Sequence, residues 1–379
     1  MRRLLPLLCG LLLAACGQRA ARPIGDFTLP VYTPRYASGF EITGAAGSRS
    51  TLVTVHNPWY GDEVTDQYLF IARVGEPAPA GFEGQVLRDE ARRVVCMSGS
   101  YIAMLDALGA ADRVVGVSGA QYLINETLRR RIARGEAADV GFDSNVDFER
   151  LMALRPDLVM LFGIGGADTA LTGKLRELGI PYLYMGEHCE ESPLGKSEWV
   201  VVAAEIAGLR TEGSRLFAAI PERYERLRAL AQQTAARPRV MLNTPYRDTW
   251  FMPTRNSYMV RLLEDAGARY VFEENTATQT LPIDIEQAYY LTSKSDFWLN
   301  VSGCNTLDEV RRQNPRLADT PPVREGRVYD NNRRRNAAGG SDFWESGVLR
   351  PDRVLADLVH IFHPELSETD ELYYYRQLE

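Results

Sequence analysis

One helix–turn–strand unit occurs twice in this chain, and few folds accommodate that repeat. In FERLMALRPDLVMLFG (residues 148–163) a short amphipathic helix over residues 149–154 passes through Arg155-Pro156-Asp157 into an unbroken apolar run, residues 158–162. The run is bounded by glycine and carries Val and Phe, so it reads as a buried strand. DIEQAYYLTSKSDFWLNVSG (residues 284–303) repeats the plan: an acidic residue opens a short helix, Ser-Lys-Ser-Asp turns, and Phe297-Trp298-Leu299 forms the strand. Strands apolar throughout belong to parallel sheets covered by helices on both faces, which predicts two α/β units of like construction.

The alternation continues around both units. RRVVCM reads as a strand, SYIAMLDALGA as a helix with Ile102, Leu105 and Leu108 on one side, and DRVVGVSG as the next strand. A loop with helical character covers residues 121–134, ADTALTGKLRELGI is a helix stopped by Gly179, and PYLYMG is another strand. Then SEWVVVAAEIAGL forms a helix with Ser197 as its N-cap. A long helical stretch follows, with Leu216, Phe217, Ile220, Tyr224, Leu227 and Leu230 at helical spacing. Pro221 should kink or interrupt it, because proline removes a backbone bond and crowds the preceding turn. After Pro238 strands and helices alternate again, through RVMLNTP, TWFMP, SYMVRLLEDAGA, RYVFE and RVYDN, to a last helix over residues 351–362 and an acidic, tyrosine-rich tail.

A chain of 379 residues is too long for one ordinary core. Hydrophobic content of 45% with 25% charged residues fits a soluble globular class, and a net charge of −7 gives no electrostatic case for nucleic acid. Arg333-Arg334-Arg335 is one local cluster rather than a basic face. Residues 17–91 differ in texture: GFEIT, TLVTVHNPW and QYLFIARV alternate between Gly, Pro and Asn turns, which predicts a small antiparallel sheet. GEPAPAGFEG, residues 75–84, reads as the linker out of it.

The first sixteen residues stand apart. Arg2 and Arg3 precede an apolar stretch, residues 4–13, too short to span a bilayer, and Ala14-Ala15-Cys16-Gly17 follows. This resembles a bacterial lipoprotein signal, which would place lipid on Cys16 and the mature chain at the periplasmic face of a membrane in the cell envelope. The remaining Cys96, Cys189 and Cys304 are far apart and form no Cys-x-x-Cys pair, so neither a zinc site nor a disulfide framework is expected.

RRVVCMSGSYIAMLDALGAADRVVGVSG, FERLMALRPDLVMLFG, LGIPYLYMG, NSYMVRLLEDAGARYVF, DIEQAYYLTSKSDFWLNVSG and NPRLADTPPVREGRVYDNN occur in this order. Together, over residues 92–364, they resemble substrate-binding proteins of ABC importers for cobalamin and ferric siderophores. The resemblance implies two Rossmann-like lobes joined by a long interlobe helix, here with a β-rich N-terminal extension. The divisions are a signal peptide (1–16), extension and linker (17–91), first lobe (92–210), interlobe helix (211–236) and second lobe (237–379). It implies as partners an ABC permease dimer with its ATPase, docked through Glu149 and Glu286 at the starts of the two repeated helices. It also implies an iron complex or corrinoid as ligand, with no resident cofactor or metal. Loops after strands would offer Ser98, Ser100, Tyr101, Gln121, Tyr122 and Phe162 from the first lobe. Tyr246, Arg247, Trp250 and residues 331–335, Asn332 and Arg333 among them, would come from the second. Aromatic rings supply flat apolar area and guanidinium groups pair with carboxylates.

Rival readings lack motifs. No Gly-x-Ser-x-Gly, His-Glu-x-x-His or phosphate-loop pattern occurs, and GIGGAD (residues 163–168) lacks the rest of a dinucleotide fingerprint. His56, His188, His360 and His363 do not assemble the distributed ligand set of a metal-ion importer. A metal-ion or heme-binding importer protein remains an alternative, as does a non-transport surface lipoprotein.

Overall fold

The computed structural model describes residues 21–379 apart from residues 62–63, 164–165, 167–168, 247–248, 278, 302 and 368–370; the signal segment, Cys16 and Arg247 lie outside the described residues. The chain opens with a five-stranded sheet in the order β1 (Leu29–Tyr32), β2 (Phe40–Gly44), β3 (Thr51–His56), β4 (Asp66–Ala72) and β5 (Gln85–Arg88). The first four pair antiparallel, but β5 returns parallel to β4. Residues 75–84 are therefore a crossover inside this sheet and not a linker out of it. Both faces are used. Ile42, Val53, Val55, Leu69 and Ile71 join the main core, while Leu52, Phe70 and Phe27 form a small cluster under Phe82 of the crossover.

The first parallel sheet comprises β6 (Val94–Cys96), β7 (Val114–Val117), β8 (Ala138–Asp139), β9 (Leu158–Phe162) and β10 (Tyr182–Met185), in the spatial order β10-β9-β6-β7-β8. Helices α1 (Gly99–Ala107), α2 (Glu126–Ala133), α3 (Phe148–Ala153) and α4 (Ala170–Leu178) connect them. Then come α5 (Pro193–Glu198), α6 (Val200–Ile206) and the long α7 (Arg210–Ala231). The N-cap of α5 is Ser192, whose hydroxyl accepts from the Gly195 amide; Ser197 is buried inside the helix and donates to the Leu194 carbonyl. Helix α7 runs through Pro221 without a break and packs on α6 and on α12 (Pro351–Phe362).

The remaining strands are β11 (Arg239–Leu242), β12 (Trp250–Met252), β13 (Arg269–Tyr270), β14 (Leu281–Ile283), β15 (Phe297–Leu299), β16 (Val328–Asp330) and β17 (Arg376–Gln377). Among them lie α8 (Tyr258–Asp265), α9 (Ile285–Ser293), α10 (Leu307–Gln313) and α11 (Pro321–Arg324). The second large sheet has the order β13-β11-β15-β16-β17, with only β17 antiparallel, and β12 pairs with β14 apart from it. Read from the other edge, β16-β15-β11-β13 repeats the order β10-β9-β6-β7. The α/β class and the two like units expected from the repeat are what the chain adopts.

The repeat extends to hydrogen bonds. Asp157, just before β9, accepts from the Arg92 and Arg93 amides at 2.8 Å, while its own amide donates to the Arg93 carbonyl. Asp296, just before β15, accepts from the Arg239 amide at 2.7 Å and donates back to the Arg239 carbonyl. Each aspartate ties the start of its strand to the start of the neighbouring first strand.

Buried carboxylates join the N-terminal sheet to the first parallel unit. Glu198 of α5 accepts from the amides of Arg35, Tyr36 and Ala37 and from the Tyr32 hydroxyl. Glu190 accepts from the Ser38 and Gly39 amides and the Trp199 indole. Glu205 of α6 takes the Thr51 hydroxyl and sits against Arg73 and Arg210. Buried charge is tolerated only when its bonding capacity is filled, and here backbone amides, hydroxyls and the Arg73 guanidinium of the extension fill it together with Arg210 of α7.

Candidate ligand-binding cleft

In open α/β sheets ligands bind beyond the carboxyl ends of the strands. Here the segments that follow strands in the two units meet. The loop after β7 faces residues 331–346, which follow β16. Asn336 Nδ2 donates to the carbonyls of Gln121 at 2.9 Å and Leu123 at 3.1 Å. The Glu345 carboxylate accepts from the Ile124 amide at 2.9 Å and the Asn125 amide at 2.6 Å. Gly340 lies so close that a Cβ would stand 1.7 Å from the Tyr122 carbonyl oxygen, so only glycine fits. A second junction sets the Lys196 ammonium of α5 over the Tyr258 ring of α8, 4.6 Å from its centroid.

Around these junctions large rings stand in solvent. Tyr122 is 46% exposed and Phe142 42%, with ring centroids 6.3 Å apart, and Trp344 is 57% exposed; Tyr246, in the loop after β11, is 67% exposed. Gln121 and Arg333 are also exposed, and Arg333 reaches Glu371 at 3.5 Å. Phe162 is half-buried against the His188 ring.

Other residues marked by the sequence turn inward. Tyr101 is buried and donates to the Leu161 carbonyl. Trp250 is buried, stacks on Trp298 at 5.6 Å and donates to the Leu242 carbonyl. Asn332 spends its side chain on the Cys304 carbonyl and the Arg376 guanidinium. The polar atoms of these three are used inside the fold. Ser98 is half-buried and begins a chain, Ser98 Oγ to Ser100 Oγ at 2.9 Å and Ser100 Oγ donating to Glu187 Oε1 at 2.9 Å.

Glu187 and Lys196 were not marked by the sequence. Burial pushes the Glu187 carboxyl up to about 7 despite the nearby Lys196 charge, and burial likewise lowers the Lys196 ammonium. The only available signal was position, directly after the strand PYLYMG. No group of three or more His, Cys, Asp or Glu side chains able to hold a metal ion occurs among the described residues.

Glu149 lies exposed in the first turn of α3 and Glu286 in the first turn of α9. The N-caps are their neighbours: Asp147 accepts from the Arg150 amide at 2.9 Å and Asp284 from the Gln287 amide at 2.8 Å. Glu286 meets Arg316 at 2.9 Å in an exposed pair.

Residues 94–333 match the family of periplasmic binding proteins, and the chain belongs to that family. It is similar to an uncharacterized lipoprotein of Methanocaldococcus jannaschii, 25% identical over 332 residues that cover 82% of this chain and 77% of that one. Among solved structures it is similar to a periplasmic heme-binding protein from Pseudomonas aeruginosa, with a TM-score of 0.58 at 19% identity over 76% of this chain and 98% of that one. It is also similar to an ABC-type Fe3+-hydroxamate transport system from Saccharomonospora viridis, with a TM-score of 0.54 at 17% identity over 72% and 94%. At these identities the structures establish the fold alone. No described helix is long and apolar enough to cross a membrane.

Proposed function

We propose that this chain is the extracytoplasmic substrate-binding protein of an ABC importer, capturing an iron complex of the siderophore or heme kind, or a corrinoid, between its two α/β lobes. The carrying observation is the set of exposed groups on post-strand loops of the two units: Tyr122 and Phe142 on the first, Tyr246, Trp344 and Arg333 on the second. Membership of the periplasmic binding protein family supports capture rather than catalysis. The named ligands of the two solved neighbours, heme and ferric hydroxamate, support the ligand class. In this reading the lobes are residues 92–210 and 237–379, linked by residues 211–236, with lipid on Cys16 and permease docking through Glu149 and Glu286. Similarity to a lipoprotein supports the anchor. Titration of the mature chain with hemin, a ferric hydroxamate and cobalamin, followed by tryptophan fluorescence, should show saturable one-to-one binding of one of them. Failure of all three would overturn the reading.

A further inference from the structure

We infer that the turn between β3 and β4, in the N-terminal extension, forms part of the ligand wall, and that Tyr60 presents its ring to a flat, conjugated ligand such as an iron-bearing macrocycle. This rests on the cleft reading above and adds to it a residue outside the family match, which begins at residue 94.

The base of the turn is fixed: the Asn57 amide donates to the Thr65 carbonyl at 2.8 Å, and the Thr65 amide donates to Asn57 Oδ1 at 3.0 Å. From that base the chain lies across the carboxyl ends of β9 and β10. A Cβ on Gly163, just after β9, would stand 2.9 Å from the Pro58 carbonyl oxygen and 3.2 Å from the Trp59 ring. One on Gly186, just after β10, would stand 3.4 Å from Pro58 Cα. The strand-end glycine at 163 therefore leaves room for the extension, while Gly186 touches it at ordinary contact distance and makes room for Trp199. Trp59 packs edge-on against Tyr184, with centroids 5.3 Å apart.

Tyr60 is held at one end only. Its hydroxyl donates to the His188 carbonyl at 2.7 Å, and its ring meets the His188 ring edge-on at 5.9 Å. The His188 ring is in turn 4.3 Å from Phe162. Yet Tyr60 is 72% exposed, and Val64 in the same turn is 86% exposed. A ring tethered by its hydroxyl and left in solvent offers a preorganised apolar face, which lowers the entropy of contact with a flat partner. It is not placed to ligate iron as phenolate: its hydroxyl already donates to the His188 carbonyl.

The test titrates the mature chain with hemin, with ferric hydroxamate and cobalamin in parallel, comparing wild type, Tyr60→Ala, Tyr60→Phe and a control, Tyr290→Ala, an exposed ring of α9 beside Lys294. Tyr60→Ala should weaken hemin binding roughly 10- to 100-fold at unchanged melting temperature, and Tyr60→Phe by less than about fivefold. Tyr290→Ala should bind as wild type. Hemin binding equal in wild type and Tyr60→Ala overturns the inference, as does a Tyr60→Ala protein that binds hemin normally but no longer engages the permease. Binding of hydroxamate or cobalamin but not hemin overturns the ligand class while sparing the cleft. Binding of no probe removes the cleft reading and this inference together.

Discussion

Asp157 and Asp296 stand in both quoted stretches of the repeat, yet their work lies off the segment that contains them. Each accepts backbone amide hydrogen at the start of a strand more than fifty residues earlier, with separations of 64 for Asp157 to Arg93 and 57 for Asp296 to Arg239. Asp157→Ala strips two acceptor bonds and should cost about 1–3 kcal/mol in denaturant unfolding at an unchanged m-value; a cost near zero would mean water replaces the carboxylate. Glu187 gives a pH prediction. Burial holds its folded-state pKa up at about 7, above the ordinary 4.5 of a glutamate, so between those values the folded chain holds more protons than the unfolded one. Stability from this group therefore falls as pH rises from about 4.5 to 7. Glu187→Gln should flatten the fall between pH 5 and pH 8 relative to wild type; an unchanged slope would refute it. Residue type alone was a poor guide to which candidates are exposed. In TWFMP a shift of one position decides everything: Phe251 points out and Trp250 and Met252 point in, and alternation without its partner strand does not reveal the phase.

At the scale of elements, local signals were legible and pairings were not. Residues 351–362 carry a helix read from sequence and found as Pro351–Phe362. The return of β5 beside β4 and the pairing of β17 with β16 depend on contacts across crossovers, which local composition does not encode. The two repeated helices support a sharper expectation. Asp147 and Asp284 do the capping, so Glu149 and Glu286 are left at exposed first-turn positions where the helix dipole favours anions. Glu149→Arg together with Glu286→Arg should leave folding and ligand affinity near wild type, since an exposed pair such as Glu286–Arg316 contributes only about 0–1 kcal/mol. Import and permease binding should be lost. Uptake that survives the double reversal at normal expression would reduce the repeat to fold symmetry.

For the whole molecule, α7 spans 22 residues, about 33 Å, and is braced by α6 on one side and α12 on the other. Glu345 and Asn336 add bonds directly between the units. Ligand should therefore leave the radius of gyration from solution scattering nearly unchanged, and a large compaction would contradict this. The extension is equally integral. A chain reduced to residues 92–379 keeps Glu190 and Glu198 but loses every extension amide that fills them. It should fail to unfold cooperatively, by circular dichroism, where the longer chain does; a soluble, cooperatively melting fragment would show the extension to be an accessory.

That same clasp sets a timetable for the newborn chain. Tyr32 and Gly39 precede their carboxylate partners by 166 and 151 positions, and at ordinary elongation rates that is roughly 10–30 s of synthesis. The loop between β1 and β2 is thus among the first segments made and among the last to be clasped, since its partners follow so much later in the chain. A holding chaperone acting on the N-terminal sheet, on whichever side of the membrane the chain folds, would matter most in that interval.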